Sequence, residues 1–479
     1  MEERDIYNSG LNNISPFDGR EILFTKDLRK YLSEGALHKY RALVQIENLI
    51  FLSESDFSNK PIIKDEEKNK LRNLLISFDA KAVAEYDHFQ RHDKGPFEHD
   101  VKSVEMYLRE LLKEINLTRL SEFIHFPLTS EDVNNIAYNL MLRDALNKVW
   151  LPKLLEVLDL LSLLSNEYNN VPVIGKTHGM NASPTTVGKR FAYILDKIMD
   201  SLIVLKTLKL KSKFSGSVGN YNSTTLLFPE FNMELYSRRF VEKFNFEYSD
   251  VENQRISHQH IVRLLNEIQL INIFLLDLCE NIRHSIMLGW YYLEKIETHV
   301  GSSVMPHKVN PWFFEVGQGY FEISNVLING SRDHLINSLF ERDLTDHPWE
   351  RIYSEMIGSS LIGISYILLG LKTLKIDKNK TVEDLNNNPE VLSEAIQLAG
   401  RALGVNDIYI KIKLLTRGKN ISLENIKEII NNEIPDSNIK EILLKTKPSE
   451  YIGKAPELAK KVVERYKDLK SFLSNNLLE

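Results

Sequence analysis

Residues 256–290 read ISHQHIVRLLNEIQLINIFLLDLCENIRHSIMLGW. Within them Ile261, Leu264, Leu265, Ile268, Ile271, Phe274, Leu275 and Leu278 recur at steps of three and four, the period of a helix with a wide apolar face. No proline falls between Pro229 and Pro306, so nothing interrupts the backbone ladder. One very long helix is expected here. The same period runs through 151–164, 186–210 and 323–340, and proline is absent again between Pro348 and Pro389. Regular period-2 runs bounded by turn residues are nearly absent. Several long helices with little strand predict an all-α protein built on a helical bundle.

The 479 residues suffice for two or three domains or one large helical body with appendages. Breaks near Leu120 and in the Asn/Lys-rich stretch from Lys375 to Asn388 divide the chain into 1–120, 121–372 and 373–479. Net charge is −6 with both signs mixed along the chain, which argues against a nucleic acid or an anionic membrane as the main partner. A small anionic substrate needs only a local cluster of cations. The one cysteine, Cys279, cannot form an internal disulfide and reads as a small buried hydrophobe. The start, MEERDIYNSG, is acidic and polar, unlike a secretory signal or a basic transit peptide. Met356 to Leu371 is apolar and uncharged but contains three glycines and is short of a bilayer span, so a buried helix is expected. A cytoplasmic location follows as an expectation.

Polar strings with Gly and Pro separate the periodic segments: NISPFDGR, KGPFEHD, HFPLTSED, IGKTHGMNASP, FSGSVGNYN, HVGSSVMPHKVNP and ERDLTDHPWER. They read as connecting loops, where chemistry tends to sit on a rigid scaffold. The most informative is Gly301-Ser302-Ser303-Val304-Met305-Pro306-His307-Lys308-Val309-Asn310-Pro311. It offers hydroxyls, adjacent backbone N–H groups and a cation, the parts that stabilise a developing oxyanion. His92, Asp93, His99 and Asp100 cluster in sequence without zinc-type spacing, so no metal is expected.

The 301–311 string resembles, almost letter for letter, the signature loop of the aspartase/fumarase superfamily. SPFDGR, HDVKSVE from His99, HFPLTSEDVNN, ASPTTVGK, GSVGNYN, RDLTD and LLTRGK resemble its adenylosuccinate lyase branch, from about Ile14 to Gly453. The resemblance implies a three-domain helical protomer and a homotetramer with a twenty-helix core, whose active sites take segments from three subunits. It implies anti elimination of fumarate from an N-substituted aspartate, without a cofactor: adenylosuccinate first, with the related succinyl-carboxamide ribotide as a second candidate.

Residue by residue, the resemblance makes Ser302 the general base, Ser303 a ligand of a substrate carboxylate, and Lys308 and Asn310 stabilisers of the charge that develops there. Thr177-His178 carries the general acid, and Glu315 is the carboxylate that orients it. His99 and Asp100 form a second histidine site at the nucleotide end. Thr129 and Ser130 are donors to the succinyl carboxylate, and equally a helix N-cap. Gln254 binds the same portion of the substrate. Arg20, Arg342 and Arg351 are the phosphate- and carboxylate-binding arginines.

The departures fall mostly on the nucleotide-phosphate side. Glu21, Glu98, His347 and Val316 replace a tyrosine, an asparagine, a serine and an asparagine, and Glu350 precedes Arg351. Met180-Asn181 replaces Gln-Pro after His-Gly. Carboxylates close to a phosphate repel it, which leaves two readings. Either these side chains turn away or pair with the arginines, or the leaving amine is a different, less phosphorylated one. A third reading, a non-catalytic crystallin-like homologue, fits poorly with retention of Ser302, His178, Lys308 and Glu315.

Overall fold

The computed structural model describes residues 3–89, 98–295, 304–305, 307–418, 421–473 and 476–478. Ser302, Ser303, His92 and Asp93 therefore lie outside the described residues. The period of 256–290 closes as a single helix, Gln259–Met287, whose 29 residues span about 40 Å.

In chain order, the elements that position the site are helices α1 (Glu34–Glu54), α2 (Asp100–Glu114), α3 (Ser130–Ala145) and α4 (Leu151–Glu167). A hairpin follows, β1 (Pro172–Thr177) and β2 (Met180–Thr186), then α5 (Val187–Thr207), α6 (Gln259–Met287) and α7 (Trp312–Ile336). The remainder are α8 (His347–Arg351), α9 (Tyr353–Thr373), α10 (Lys378–Asn386) and α11 (Ala455–Leu473). A π-helical turn over Leu146–Trp150 joins α3 to α4 without a break, and Pro152 follows as the second residue of α4.

Helix α7 stops at Ile336 rather than continuing to 340. The buried guanidinium of Arg255 donates to the carbonyls of His334 and Asn337, the latter at 2.5 Å, and so satisfies the helix end. The string IGKTHGMNASP, expected as a loop, is the β1–β2 hairpin. Pro172, Pro184, Gly175 and an irregularity between Val173 and Gly175 obscure its alternation in the sequence. Two short pairs complete the strands among the described residues: Lys211–Ser212 with Glu247–Tyr248, and Tyr291–Leu293 with Leu374–Ile376.

Helix α9 runs through the middle of the bundle, with Met356, Ile357, Leu361, Ile364 and Ile367 all buried. It is apolar enough to cross a membrane by length and composition alone, yet its surface is covered by its neighbours. A buried polar relay fixes its register. Asn272 of α6 donates to Ser324 of α7 at 3.0 Å and accepts from Ser360 of α9 at 2.7 Å, while Trp150 donates to the Ser360 hydroxyl at 2.9 Å. Every member is satisfied, so the network specifies alignment without leaving an orphaned group.

Smaller cores flank the bundle. Ala42, Ile46 and Leu49 of α1 pack with Val104, Leu108 and Leu112 of α2. Leu392, Ile396, Ile408, Ile426 and Ile430 form another cluster. Helix α11 returns to the main bundle: Tyr466 donates to Asp159 at 2.8 Å, and Arg465 to Asp196 at 2.6 Å.

Close approach of α7 and α9 rests on glycine. A Cβ at Gly363 would lie 2.6 Å from Phe321 Cε1, and one at Gly370 2.7 Å from Phe314 Cζ. Gly363→Ala is expected to destabilise the fold by about 1–3 kcal/mol through overpacking, outweighing the ~1 kcal/mol gain in helix propensity. Denaturant unfolding checks this, and adding Phe321→Leu should recover part of the loss; equal stability of Gly363→Ala and the parent would contradict the packing.

Candidate active site

The N-terminus of α3 is organised by one buried ion pair. Lys213 Nζ lies 2.7 Å from Asp132 Oδ1, with both side chains fully inaccessible. The Asp132 carboxylate also accepts from the N–H groups of Thr129 (2.9 Å), Ser215 (3.0 Å) and Gly216 (3.3 Å). Asn135 clasps the Lys213 backbone from the other side, at 3.0 and 3.1 Å. Gln254 reaches the same loop and donates to the Ser217 carbonyl at 2.7 Å. Thr129 and Ser130 are thus presented at a helix N-terminus, an environment that favours anions. His99 Nε2 sits 3.4 Å from Ser130 Oγ, and its Nδ1 accepts from the Lys102 N–H at 3.2 Å. That bond puts the ring proton on Nε2, facing the hydroxyl.

Asp100, beside His99, gathers cations. Its carboxylate lies 2.7 Å from Arg41, 2.9 Å from Arg351 and 3.7 Å from His347. Burial disfavours its charge, but the His347 hydrogen bond and the two guanidiniums outweigh burial and hold it well below the usual carboxylate range. Arg351 also contacts Glu34 at 3.3 Å. Arg41, fully buried on α1, was not singled out in the sequence. Its buried neighbours along α1 include His38, Gln45 and Asn48, so no apolar stripe set it off in the sequence.

Arg342 bridges Asp346 (2.8 Å) and Glu131 (3.1 Å). Behind it, Arg255 pairs with Asp346 at 2.8 Å, and His258 Nε2 lies 3.5 Å from Glu350 Oε1. Glu131, His258 and Glu350 bring donor atoms within 4.8 Å of one another, a set that could hold a metal ion. A proton on one of these carboxylates meets the same need, because Glu131, Asp346 and Glu350 outnumber the guanidiniums of Arg255 and Arg342 beside them. Burial, reinforced by Glu131 and Asp346, raises the Glu350 carboxyl well above its ordinary value.

The remaining candidates lie at the other end of the bundle. His178 occupies the tip of the β1–β2 hairpin, and Lys308 and Asn310 precede α7. Glu315, in the first turn of α7, faces Arg283 of α6 at 3.7 Å. A cleft of about 700 Å³ opens there, lined by Lys176, Lys189, Arg190, His284 and Trp290 among others. Thr129, Ser130, His99, Gln254, Arg342 and Arg351 surround the opposite end, where α6 and α9 begin and α7 finishes. Within one chain the length of α6, about 40 Å, separates the two groups. Arg20, solvent-facing beside Glu21, lies towards the α7-start end: Glu21 accepts from Tyr366, which packs on Trp312 and Phe313.

The departures resolve structurally. Glu21 is buried, 3.3 Å from Arg20, and accepts from Tyr366 at 2.9 Å. Val316 packs with Phe17, Phe24 and Tyr320 around Ile362. Glu350 is inside the protein. Glu98 is exposed, with φ +48.

Because folded Glu350 keeps its proton to a higher pH than the unfolded chain does, its own contribution to stability is full below about 4.3 and is lost as pH rises toward the raised folded value. Glu350→Gln should therefore unfold at a higher temperature than the parent at pH 8 and near the same temperature at pH 4. A variant that is less stable at pH 8 would show an ionised Glu350 paired with His258.

A family model described as "Lyase" matches residues 71–322, and one described as "Adenylosuccinate lyase C-terminal" matches 338–452. Adenylosuccinate lyase of Legionella pneumophila (strain Corby) is 34% identical, over 94% of this chain and 99% of its own. That of Escherichia coli (strain K12) is 33% identical, over 93% and 98%. Among solved structures, fumarate lyase from Mesorhizobium sp. BNC1 shares the fold at a TM-score of 0.71 with 16% identity, covering 92% of this chain and 98% of that one. The 3-carboxy-cis,cis-muconate lactonizing enzyme from Pseudomonas putida does so at 0.70, with the same identity and coverage. The chain belongs to the adenylosuccinate lyase family.

Proposed function

We propose that this protein is a carbon–nitrogen lyase that cleaves adenylosuccinate to AMP and fumarate in purine nucleotide biosynthesis, and that it also takes the succinyl-aminoimidazole-carboxamide ribotide. The near-full-length kinship with adenylosuccinate lyases carries this reading.

In the proposed reaction Ser302 removes a proton from the carbon next to a succinyl carboxylate. Charge moves onto that carboxylate, where Lys308, Asn310 and Ser303 hold it. The C–N bond then breaks, its electron pair goes to nitrogen, and His178 delivers the proton that nitrogen needs. Thr129, Ser130, Gln254 and Arg342 bind the succinyl portion, while Arg20, Arg351, His99 and Asp100 serve the nucleotide end. Neither the base nor the acid calls for a metal or a cofactor.

Burial of Glu21 and Glu350 supports a nucleotide monophosphate as the leaving amine. Glu21 is buried beside Arg20 and accepts from Tyr366, and Glu350 faces the interior, so neither carboxylate is exposed toward a phosphate. His347 adds an imidazole where the family carries serine.

We further propose a homotetramer with shared sites. Two features support it: the 40 Å span between the two residue groups, and apolar side chains left bare on the bundle. Leu270 and Ile273 of α6 are 42% and 44% exposed, and Ile323 and Val326 of α7 are 47% and 69% exposed. Antiparallel packing of such faces between copies would bring one chain's hairpin to another chain's α3. The cytoplasm is the proposed location.

Purified protein should release fumarate rapidly from adenylosuccinate; release only from other N-succinyl amines would overturn the substrate assignment. Ser302→Ala and His178→Ala should each lower kcat by about 10²–10⁴ with assembly intact, and near-parental turnover in either would remove that residue from its role. Each site is proposed to take the hairpin and the 301–311 segment from different subunits, so exchanging the two inactive variants at equal ratio should restore about a quarter of the sites by random assortment. No recovery in exchanged hybrids would contradict shared sites.

A further inference from the structure

His178 sits where an ordinary residue pays a conformational penalty. Thr177 pairs with Met180, so His178 and Gly179 form a two-residue loop. Their φ angles are +53 and +77, the left-handed pair that a type I′ turn requires. For a non-glycine residue this conformation costs about 1–2 kcal/mol, and surrounding contacts must hold it. Met180, at 71% exposure, gives the tip little support of its own.

The next rung supplies that support. Asn181 faces Lys176 across the hairpin, and its Oδ1 accepts from Lys176 Nζ at 2.6 Å. Its Nδ2 donates to Asn388 Oδ1 at 2.7 Å and to Glu390 Oε1 at 3.3 Å. Both amide hydrogens and one oxygen lone pair are therefore used. The acceptors are themselves fixed: Asn388 Nδ2 donates to the Asp384 carbonyl at 2.7 Å, and Trp290 donates to the Asp384 carboxylate at 2.7 Å. The Lys176 ammonium lies over the Trp290 ring at 5.8 Å. One amide thus ties the last rung before the tip to a segment more than 200 residues away. The other anchor, Ser183 to Glu394, lies deeper along β2 and leaves the tip free to pivot.

We propose that Asn181 is a positioning residue: its amide locks the hairpin tip to the 388–390 segment and so holds the His178 imidazole at a fixed height and angle toward the departing nitrogen. The inference rests on His178 acting as the general acid. It also accounts for asparagine where relatives carry proline, since the side chain does a task that proline cannot.

Two variants test it. Asn181→Ala removes the amide. Asn181→Pro removes it while sparing the strand pairing, because the rung after a two-residue loop is the non-hydrogen-bonded kind and needs no N–H at that position. In the assembled enzyme both should lower kcat about 10-fold, as a small misplacement of a reacting group does. KM should stay within two-fold, the unfolding temperature should not change, and amide exchange should quicken over 176–182 alone. Asn388→Ala should lower kcat similarly and add nothing on top of Asn181→Ala. Full turnover in both variants, or a loss that tracks unfolding temperature, would overturn the tether while an inactive His178→Ala keeps the acid assignment. Full turnover in His178→Ala would overturn both.

Discussion

The contact between Asp132 and Lys213 governs one whole end of this molecule. Both charges are wholly removed from water, so each is tolerated only because the other is there. The carboxylate spends its remaining lone pairs on three backbone N–H groups from two separate segments. It thereby fixes the start of α3 against the loop that follows α5. Truncating either side chain would strand the other charge, typically a loss of 3–5 kcal/mol, and would release Thr129, Ser130 and the Gln254 contact together.

Around that anchor the protein stores an unusual amount of buried charge. Asp100 is held by Arg41, Arg351 and His347, and Arg342 by Glu131 and Asp346. The arginines offered to a substrate are therefore pre-aimed by carboxylates that already satisfy part of their hydrogen-bonding capacity, so little ordering remains to be done on binding. At the opposite end the organisation differs. There a two-stranded hairpin, itself in a costly turn, is braced by a polar clasp. The long helices between the ends act as a rigid spacer. Under the proposed assembly, one chain presents separate parts of the site and another copy completes them.

Much of this was legible in the sequence. The three-and-four spacing from Ile261 to Leu278 gives α6 almost to its ends, and Met356–Leu371 reads correctly as a buried helix. Period alone does not report which helices cross, so the α7–α9 contact at Gly363 and Phe321 was invisible. The hairpin carrying His178 was missed because Pro172, Gly175, Pro184 and the irregularity between Val173 and Gly175 break its alternation, and because histidine at a left-handed position gives no turn signal of the Asn-Gly kind. Glu21 and Glu350 look repulsive toward phosphate when read as letters. Only their burial against Tyr366, Arg20 and the Glu131 cluster shows that they point elsewhere. Arg41 and Lys213 carry no motif, since their meaning comes from partners about 60 to 80 positions away in the chain.

The central claim is that chemistry occurs where the hairpin of one copy meets the α3 end of another. The direct measurement is an interchain distance. Protein labelled with a spin probe at Met180→Cys is exchanged with protein labelled at Glu98→Cys, the buried Cys279 remaining unlabelled. The account predicts a population of separations far below the intrachain span of about 40 Å. Separations of 40 Å or more throughout the fully assembled, active sample would contradict it.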